Sequence, residues 1–282
     1  MSQNLMADLV HQWVIGYKKN MEGNIIQLKF ILALVALTAL CMPVIGQNTA
    51  AYWIKEGDAL HNQSKHDEDI QAYDKAIEID PQSEEAWTKR GSALFGSGRA
   101  GASDEAVRCF DNAILINPNY AEAWMEKGRW LDFSEFAAYV NEGVEARDEM
   151  ARKANECLDE VIRIEPNNTE ALELKGGNLE LLGMNIDALL YYDRIISIDP
   201  KDNLTCYKAW EAKGEIYRRE LKNYELAVKC YDQAISAYNN DKTGDPSYYY
   251  LFVYKSKALL ELGRTAEANA AFAKAKELGY EG

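Results

Sequence analysis

Two histidines and a few pairs of acidic side chains are the residues of this chain whose types and spacing come nearest to catalysis or metal binding. His61 and His66 share one turn, but no cysteine lies near them, and solvated histidines in a turn are the ordinary case. Glu84 and Glu85 are explained by a helix dipole, which favours acidic side chains in the first turn. We therefore predict no metal site and no catalytic residue here.

Longer motifs that carry chemistry are also missing from the sequence. It contains no Gly-rich phosphate loop, no G-x-S-x-G nucleophile motif and no HExxH metalloprotease motif. We therefore expect a protein that is not an enzyme and that uses no cofactor.

The charge of the chain restricts its partners. A formal net charge of −14 repels nucleic-acid phosphates unless basic residues are segregated on one face, and the longest basic groupings are pairs. A hydrophobic fraction of 48% with 27% charged residues is ordinary for a chain that buries a core. The expected partners are other proteins, with no nucleic acid among them.

The N-terminal region, residues 1–46, contains an uncharged hydrophobic run over residues 30–46 that follows Lys29. It is typical of an export signal cleaved before Gln47. If residues 25–26 extend the run, it is long enough to be an uncleaved transmembrane anchor instead, and both interpretations stay open. In either case the excess of lysine before the run predicts that the rest of the chain lies outside the cytoplasmic membrane, exported to the cell surface or beyond.

Internal repeats dominate the sequence after residue 50. Apolar residues recur at three- and four-residue spacing, as Tyr73, Ala76 and Ile77 illustrate, which predicts helices. A proline ends each unit, and Ser83, Asn119 or Asn168 follows where a helix cap is expected. The repeated segments are residues 70–81, 107–118, 158–166 and 189–200.

The positions shared by these units resemble the tetratricopeptide-repeat (TPR) pattern of about 34 residues. The eighth position is small, the twenty-fourth is large, and the twentieth is Ala except for Asp69. The resemblance implies an all-α, right-handed α-solenoid of about six helical hairpins, preceded by the N-terminal hydrophobic helix. Within the array at 50–282, the repeats are about 50–83, 84–120, 121–168, 169–202, 207–241 and 249–282. The eighth and twenty-fourth positions hold Gly57, Gly91, Gly128, Gly176, Gly214 and Ser256, and Tyr73, Phe110, Leu158, Tyr192, Tyr231 and Phe272.

Several features depart from the family pattern. Residues 133–154 contain an insertion that keeps helical spacing on both sides of residues 141–143, which predicts two lengthened helices, either a partner-specific arm or neutral variation. Extra residues at 203–206 and 239–245 are predicted to be loops. The family's Leu at the seventh position is replaced by Glu56, Arg90, Lys127, Lys175, Lys213 and Lys255.

The cysteines of the array are predicted to be buried free thiols. Cys109, Cys157 and Cys230 occupy the same repeat position, and equivalent positions in stacked hairpins lie too far apart for disulfides. Cys206 is placed in the predicted loop.

The resemblance also implies a function. In this family the first helix of each hairpin (the A helix) lines a concave groove that binds peptides or helices of partner proteins, so we expect a non-catalytic scaffold. Ile54 and Asp58 do not match the Lys/Asn clamp of chaperone-binding members. The candidate groove residues are Thr88, Ser92, Phe95, Met125, Arg129, Glu173, Glu211, Glu215, Arg218, Val253 and Lys257.

A second interpretation centres on the tyrosine run at 248–250. Aromatic rings in a row are able to stack on a small ligand or a glycan, which would make the protein a carrier. The alternative is that these rings pack between repeats.

Overall fold

A computed structural model describes residues 49–98, 102–198, 200, 203–240 and 248–281. The predicted hydrophobic run at 30–46 lies outside these ranges. Among the helices that the structure describes, none is both long enough and apolar enough to cross a membrane.

The described residues form α-helices and no β-strand, which confirms the all-α prediction. The helices are α1 (Ala50–His61), α2 (His66–Ile79), α3 (Glu84–Gly96), α4 (Ala102–Ile116), α5 (Ala121–Glu142), α6 (Val144–Ile164), α7 (Thr169–Leu181), α8 (Asn185–Ile198), α9 (Asn203–Glu215), α10 (Tyr224–Asn240), α11 (Tyr249–Glu261) and α12 (Thr265–Glu277). A π-helical turn, Ile216–Glu220, continues α9.

The chain divides into two compact units, of which the first ends at Lys89 and the second begins at Arg90. In the first unit α1 packs against α2. In the second, α5 packs with α6, α7 with α8, α9 with α10 and α11 with α12, so that each of these hairpins is made of neighbours in sequence. The predicted succession of helical hairpins is therefore confirmed.

Short polar side chains begin several helices, as predicted. Ser83 Oγ accepts a hydrogen bond from the Ala86 backbone N–H at 3.1 Å, and Asn168 Oδ1 accepts one from Ala171 at 3.0 Å. The prediction was wrong for Asn119, because α5 begins at Ala121 and Asn119 lies one residue before the capping position.

Small and large residues meet inside the hairpins at the eighth and twenty-fourth positions. A Cβ atom on Gly214 would lie 2.6 Å from the Tyr231 ring, and one on Gly91 would lie 2.5 Å from the Phe110 ring. Tyr231 and Phe110 are both fully buried. Because glycine has no side chain, the ring of the facing helix occupies the space beside it, and the two helices of the hairpin pack closely together.

Charged residues at the seventh position join successive hairpins. Lys127 Nζ donates to Asp111 Oδ1 at 2.6 Å, and Lys255 Nζ donates to Asp232 Oδ1 at 2.5 Å. The same pairing joins Lys175 to Asp159 and Lys213 to Asp193. In each pair the lysine lies on an A helix and the aspartate on the second helix (the B helix) of the preceding hairpin. We call these four pairs the Lys–Asp ties.

The third hairpin is the longest, which confirms the predicted lengthening. Helices α5 and α6 have 22 and 21 residues, whereas the other helices have between 12 and 17. Gly143 joins them with a φ of 97°, in the left-handed region that favours glycine.

The prediction of a loop at 203–206 was wrong. These residues form the first turn of α9, because the additional residues extend the helix at its N-terminal end instead of bulging from it. Cys206 is therefore helical and buried. Of the second predicted loop, residues 239–240 belong to α10 and residues 241–245 lie outside the described ranges.

Cys109, Cys157 and Cys230 are buried, as predicted, and none of the described cysteines forms a disulfide with another described residue. Burial raises the pKa of the Cys157 and Cys230 thiols to about 11, so both are protonated at neutral pH.

Candidate binding face

Side chains of the A helices in the second unit form a continuous row of polar contacts. The row runs from α3 through α5, α7 and α9 to α11, and each step joins one A helix to the next. We call this surface the A-face, and it consists of Ser92, Glu126, Arg129, Glu170, Glu173, Lys208, Glu211, Glu215, Arg218, Tyr250 and Tyr254.

The row begins between α3 and α5. Ser92 Oγ donates a hydrogen bond to Glu126 Oε2 at 3.1 Å. Beside it, the rings of Phe95 and Phe133 meet edge to face with their centroids 5.3 Å apart. Phe133 is 71% exposed, so an apolar spot lies at this end of the A-face.

Arg129 joins α5 to α7. Its guanidinium donates to Glu126 on its own helix and to Glu170 on the next, with an Nε–Oε1 distance of 2.8 Å for Glu170. The arginine charge is therefore shared by two carboxylates.

Two contacts continue the row to α9 and α11. Glu173 Oε1 lies 3.5 Å from Lys208 Nζ. The Tyr250 hydroxyl donates to Glu211 Oε2 at 2.9 Å.

The π-helical turn after α9 carries Arg218, and it shapes the densest part of the A-face. Glu215 accepts hydrogen bonds from the Tyr231 hydroxyl at 2.5 Å and from Arg218 at 2.8 Å. The Arg218 guanidinium also lies 5.4 Å from the Tyr254 ring centroid, within cation–π range. The extra residue of a π turn changes the direction of the side chains that follow it, and such turns are frequent at functional sites.

Carboxylates exceed basic groups on the A-face. It has five glutamates against Arg129, Lys208 and Arg218. Burial raises the pKa of Glu211, and burial likewise raises the pKa of the neighbouring Glu180, which accepts a hydrogen bond from Tyr192 at 2.5 Å. These carboxylates are poorly solvated, so a cation beside them gains more than one in open water.

The predicted groove residues separate into three groups, apart from Phe95, whose ring packs against Phe133. Ser92, Arg129, Glu173, Glu211, Glu215 and Arg218 take part in the row of contacts. Thr88, Met125 and Val253 are buried at 1%, 6% and 5% exposure, and the Thr88 hydroxyl donates to Glu84 O at 2.8 Å within its own helix. Lys257 is exposed, with Nζ 5.7 Å from the Tyr254 ring.

Several A-face residues were missing from the prediction. Glu170, Lys208 and Tyr250 occupy the second repeat position, which the family pattern assigns to the groove and which would have revealed them. Glu126 and Tyr254 occupy the sixth position, and their role depends on side-chain directions that the repeat pattern does not contain.

The tyrosines proposed as a stacking platform pack against neighbouring rings. Tyr248 stacks on Tyr238 with centroids 4.2 Å apart, and Tyr249 lies 5.7 Å from Tyr280. Tyr248, Tyr250 and Tyr254 lie against the core formed by α10, α11 and α12. These contacts favour packing over ligand stacking.

A cavity of about 640 Å³ opens elsewhere, between α4, α5 and α6. Its walls include Val107, Trp124, Trp130, Met150 and Cys157. None of its lining residues belongs to the A-face or to the tyrosine run, and no group in it suggests a particular ligand.

Comparisons with known proteins agree with this geometry. Residues 57–98 match a family model described as TPR repeat, and residues 207–241 match one described as tetratricopeptide repeat. No curated protein sequence matches the chain significantly.

Solved structures share the fold at low sequence identity. A crystal structure of MamA is 21% identical, with 65% of this chain and 95% of that chain covered and a TM-score of 0.52. MamA from Desulfovibrio magneticus RS-1 is 15% identical over 69% and 97% of the two chains, with a TM-score of 0.55. PilF from Pseudomonas aeruginosa is 14% identical over 83% and 93%, with a TM-score of 0.58.

The fold defined by these helices is that of repeat proteins built from stacked helical hairpins. Residues 57–98 and 207–241 accordingly match tetratricopeptide repeats, and the described helices have the fold of such repeats.

Proposed function

We propose that the chain is a non-catalytic scaffold that binds basic peptide or helical segments of partner proteins on the A-face. The observation that carries this proposal is the excess of carboxylates in a row that crosses five successive A helices. A row of this length fits an extended or helical segment better than a compact small molecule.

The chemistry of the A-face favours lysine and arginine in the partner. Each glutamate has a fixed position, because it already accepts a hydrogen bond or an ion pair from the protein. Because the glutamates of the A-face outnumber its basic side chains, the face keeps a negative charge that attracts a lysine or arginine of the partner. Burial around Glu180 and Glu211 increases this attraction.

Binding of model peptides to the full chain tests the proposal. A fluorescent peptide of alternating Ala and Lys is compared by anisotropy with its Ala–Gln counterpart. We expect the Lys peptide to bind more tightly, with an affinity that falls as salt rises. The triple variant Glu173→Gln, Glu211→Gln, Glu215→Gln should weaken binding about tenfold, which corresponds to roughly 0.5 kcal/mol for each charge removed.

A matched variant separates the A-face from net charge. Glu78→Gln, Glu145→Gln, Glu156→Gln removes three carboxylates from exposed positions on B helices. Equal weakening by both triple variants, or equal binding of the Lys and Gln peptides, would contradict the proposal.

We also propose that the repeats act outside the cytoplasmic membrane. The support is the sequence of residues 30–46 with the lysines before it. Alkaline phosphatase fused after residue 282 should be active in cells, because this enzyme requires an oxidising compartment. An inactive fusion whose activity appears only after residues 1–46 are replaced by a known signal peptide would exclude this location.

A further inference from the structure

A buried carboxylate distinguishes the first repeat from the other five. Asp69 occupies the twentieth repeat position, where the other repeats have Ala106, Ala154, Ala188, Ala227 and Ala268, all fully buried. Asp69 is itself 0% exposed. A carboxylate in such a place is costly unless cations or hydrogen-bond donors surround it.

Two histidines converge on this carboxylate. His61, the last residue of α1, has its Nδ1 atom 2.9 Å from Asp69 Oδ2, and His66, the first residue of α2, has its Nδ1 atom 3.3 Å from the same oxygen. His66 and Asp69 are three residues apart and therefore lie on one face of α2. The turn between the helices returns His61 to that face, with Ser64 in a left-handed conformation at φ 57°.

The second carboxylate oxygen of Asp69, Oδ1, does not contribute to these contacts. Oδ1 is buried and has no hydrogen-bond partner among the described residues. Both histidine contacts of the carboxylate therefore involve Oδ2, and on the histidine side both involve Nδ1, a nitrogen that is able to bind a metal.

The geometry points to a binding site for a divalent transition metal, formed by His61, His66 and Asp69, with Zn²⁺ as the ion that suits it best. One ligand atom from each residue lies within 4.8 Å of the others. Tetrahedral ligands with bonds of 2.0–2.1 Å stand roughly 3.4 Å apart, close to the two distances observed. Two imidazoles and one carboxylate are a ligand set typical of zinc sites with an open fourth position.

Access to the site is open from the solvent side. The side chains of His61 and His66 are 41% and 26% exposed, whereas Asp69 lies beneath them. A metal ion bound between the two Nδ1 atoms and Asp69 Oδ2 would thus take the place of the direct contacts between the histidines and the carboxylate. The prediction of no metal site rested on the two histidines alone. Asp69, at a repeat position that is Ala in the other repeats, is the feature of the sequence that indicates the third ligand.

Metal titration of the purified full chain tests this inference. After removal of metals with a chelator, calorimetry with Zn²⁺ should give one site per chain. Co²⁺ should give the visible absorption of a four-coordinate nitrogen and oxygen site, without the charge-transfer band of a thiolate ligand. Asp69→Ala should weaken Zn²⁺ binding by more than about tenfold, and His61→Ala with His66→Ala should abolish the Co²⁺ spectrum.

Asp69→Ala keeps the variant folded, because it restores the residue that the other repeats have. We expect its thermal stability without metal to equal or exceed that of the parent chain, while Zn²⁺ stabilises only the parent. Glu68→Ala, the neighbouring exposed acid, is the control and should bind as the parent does. Equal Zn²⁺ binding by the parent and Asp69→Ala, or no binding by the parent, would overturn the inference and leave a hydrogen-bonded cluster of two histidines and a carboxylate.

Discussion

Gly214 and Tyr231 show how single residues set the distance between helices in this protein. The ring occupies the volume that a side chain at residue 214 would fill, and the Tyr231 hydroxyl is held by Glu215 and Arg218. The Tyr231 side chain is therefore fixed both by the packing of its ring against Gly214 and by the hydrogen bonds of its hydroxyl. Gly128 differs, because its neighbour is Leu158, whose nearest atom would lie 3.4 Å from an added Cβ.

Gly214→Ala should consequently destabilise the protein by about 1–3 kcal/mol, the usual cost of overpacking a rigid core. Gly128→Ala should be neutral or stabilising by up to about 1 kcal/mol, because alanine has the higher helix propensity. Urea unfolding of both variants measures the difference. Similar losses for the two substitutions would show that the Tyr231 ring does not fix the helix spacing.

For single residues, the sequence predicted the packing contacts inside the hairpins better than the polar contacts between them. Small and large residues at fixed repeat positions predicted the contact of Gly214 with Tyr231, since side-chain volume follows directly from residue type. The partner of Lys213 did not follow in the same way, because Asp193 lies in the preceding repeat and the pairing depends on how hairpins stack.

The Lys–Asp ties operate between elements. In the tie between α8 and α9, the Lys213 side chain is only 7% exposed, whereas that of Asp193 is 58% exposed. Lys213 therefore loses more of its hydration on folding than Asp193 does. Lys213 Nζ also lies 4.9 Å from the Trp210 ring centroid. The buried lysine depends on its partner more than the aspartate does.

This asymmetry predicts that the two single substitutions change the stability of the fold by unequal amounts. Asp193→Asn should cost about 1–3 kcal/mol, less than the loss of a fully buried pair, because the partly exposed site admits water. Lys213→Leu, which introduces the family's usual residue, should change stability by less than about 1 kcal/mol, because it removes the buried charge and leaves Asp193 in water. Urea midpoints compare them, and a larger loss for Lys213→Leu would mean that the tie itself stabilises the fold.

Helical elements were predicted well where spacing was regular and poorly where residues were added. A count of additional residues does not distinguish a loop from a longer helix, and at 203–206 the addition became the first turn of α9. The π turn at Ile216–Glu220 depends on the hydrogen bond from Leu221 N to Ile216 O at 3.1 Å, and no residue type signals it.

For the molecule as a whole, the distribution of carboxylates predicts a pH-dependent affinity. Glu211 is faced by Tyr250, Glu215 and Lys208, and Glu180 by Tyr192, Glu215, Arg219 and Glu220. Burial raises both pKa values above the ordinary glutamate value, so these groups take up protons before exposed carboxylates do. The stability that they contribute is present below the unfolded-state pKa and is lost as pH rises through the folded-state pKa.

As the pH falls toward the ordinary glutamate range, binding of the basic model peptide should therefore weaken before exposed carboxylates take up protons, and the stability that these two groups contribute should increase. Anisotropy titrations across this range measure the effect. Glu180→Gln with Glu211→Gln should make the affinity nearly constant with pH, whereas Glu145→Gln with Glu156→Gln should leave the slope unchanged. If the affinity of the Glu180→Gln, Glu211→Gln variant still changed with pH as that of the parent does, the pH dependence would belong to other groups.

The Lys–Asp ties also bear on how copies of the chain associate. Four successive junctions use the same pair, so the hairpins that they join have equivalent connecting surfaces. The first and last repeats of the described part of the chain lack the matching groups: the seventh position of the first is Glu56, and the position after Phe272, where the other repeats have an aspartate, is Ala273. A second copy that met the described repeats head to tail would therefore form no Lys–Asp tie at its junction, so the Lys–Asp ties act within one chain and not between copies of it.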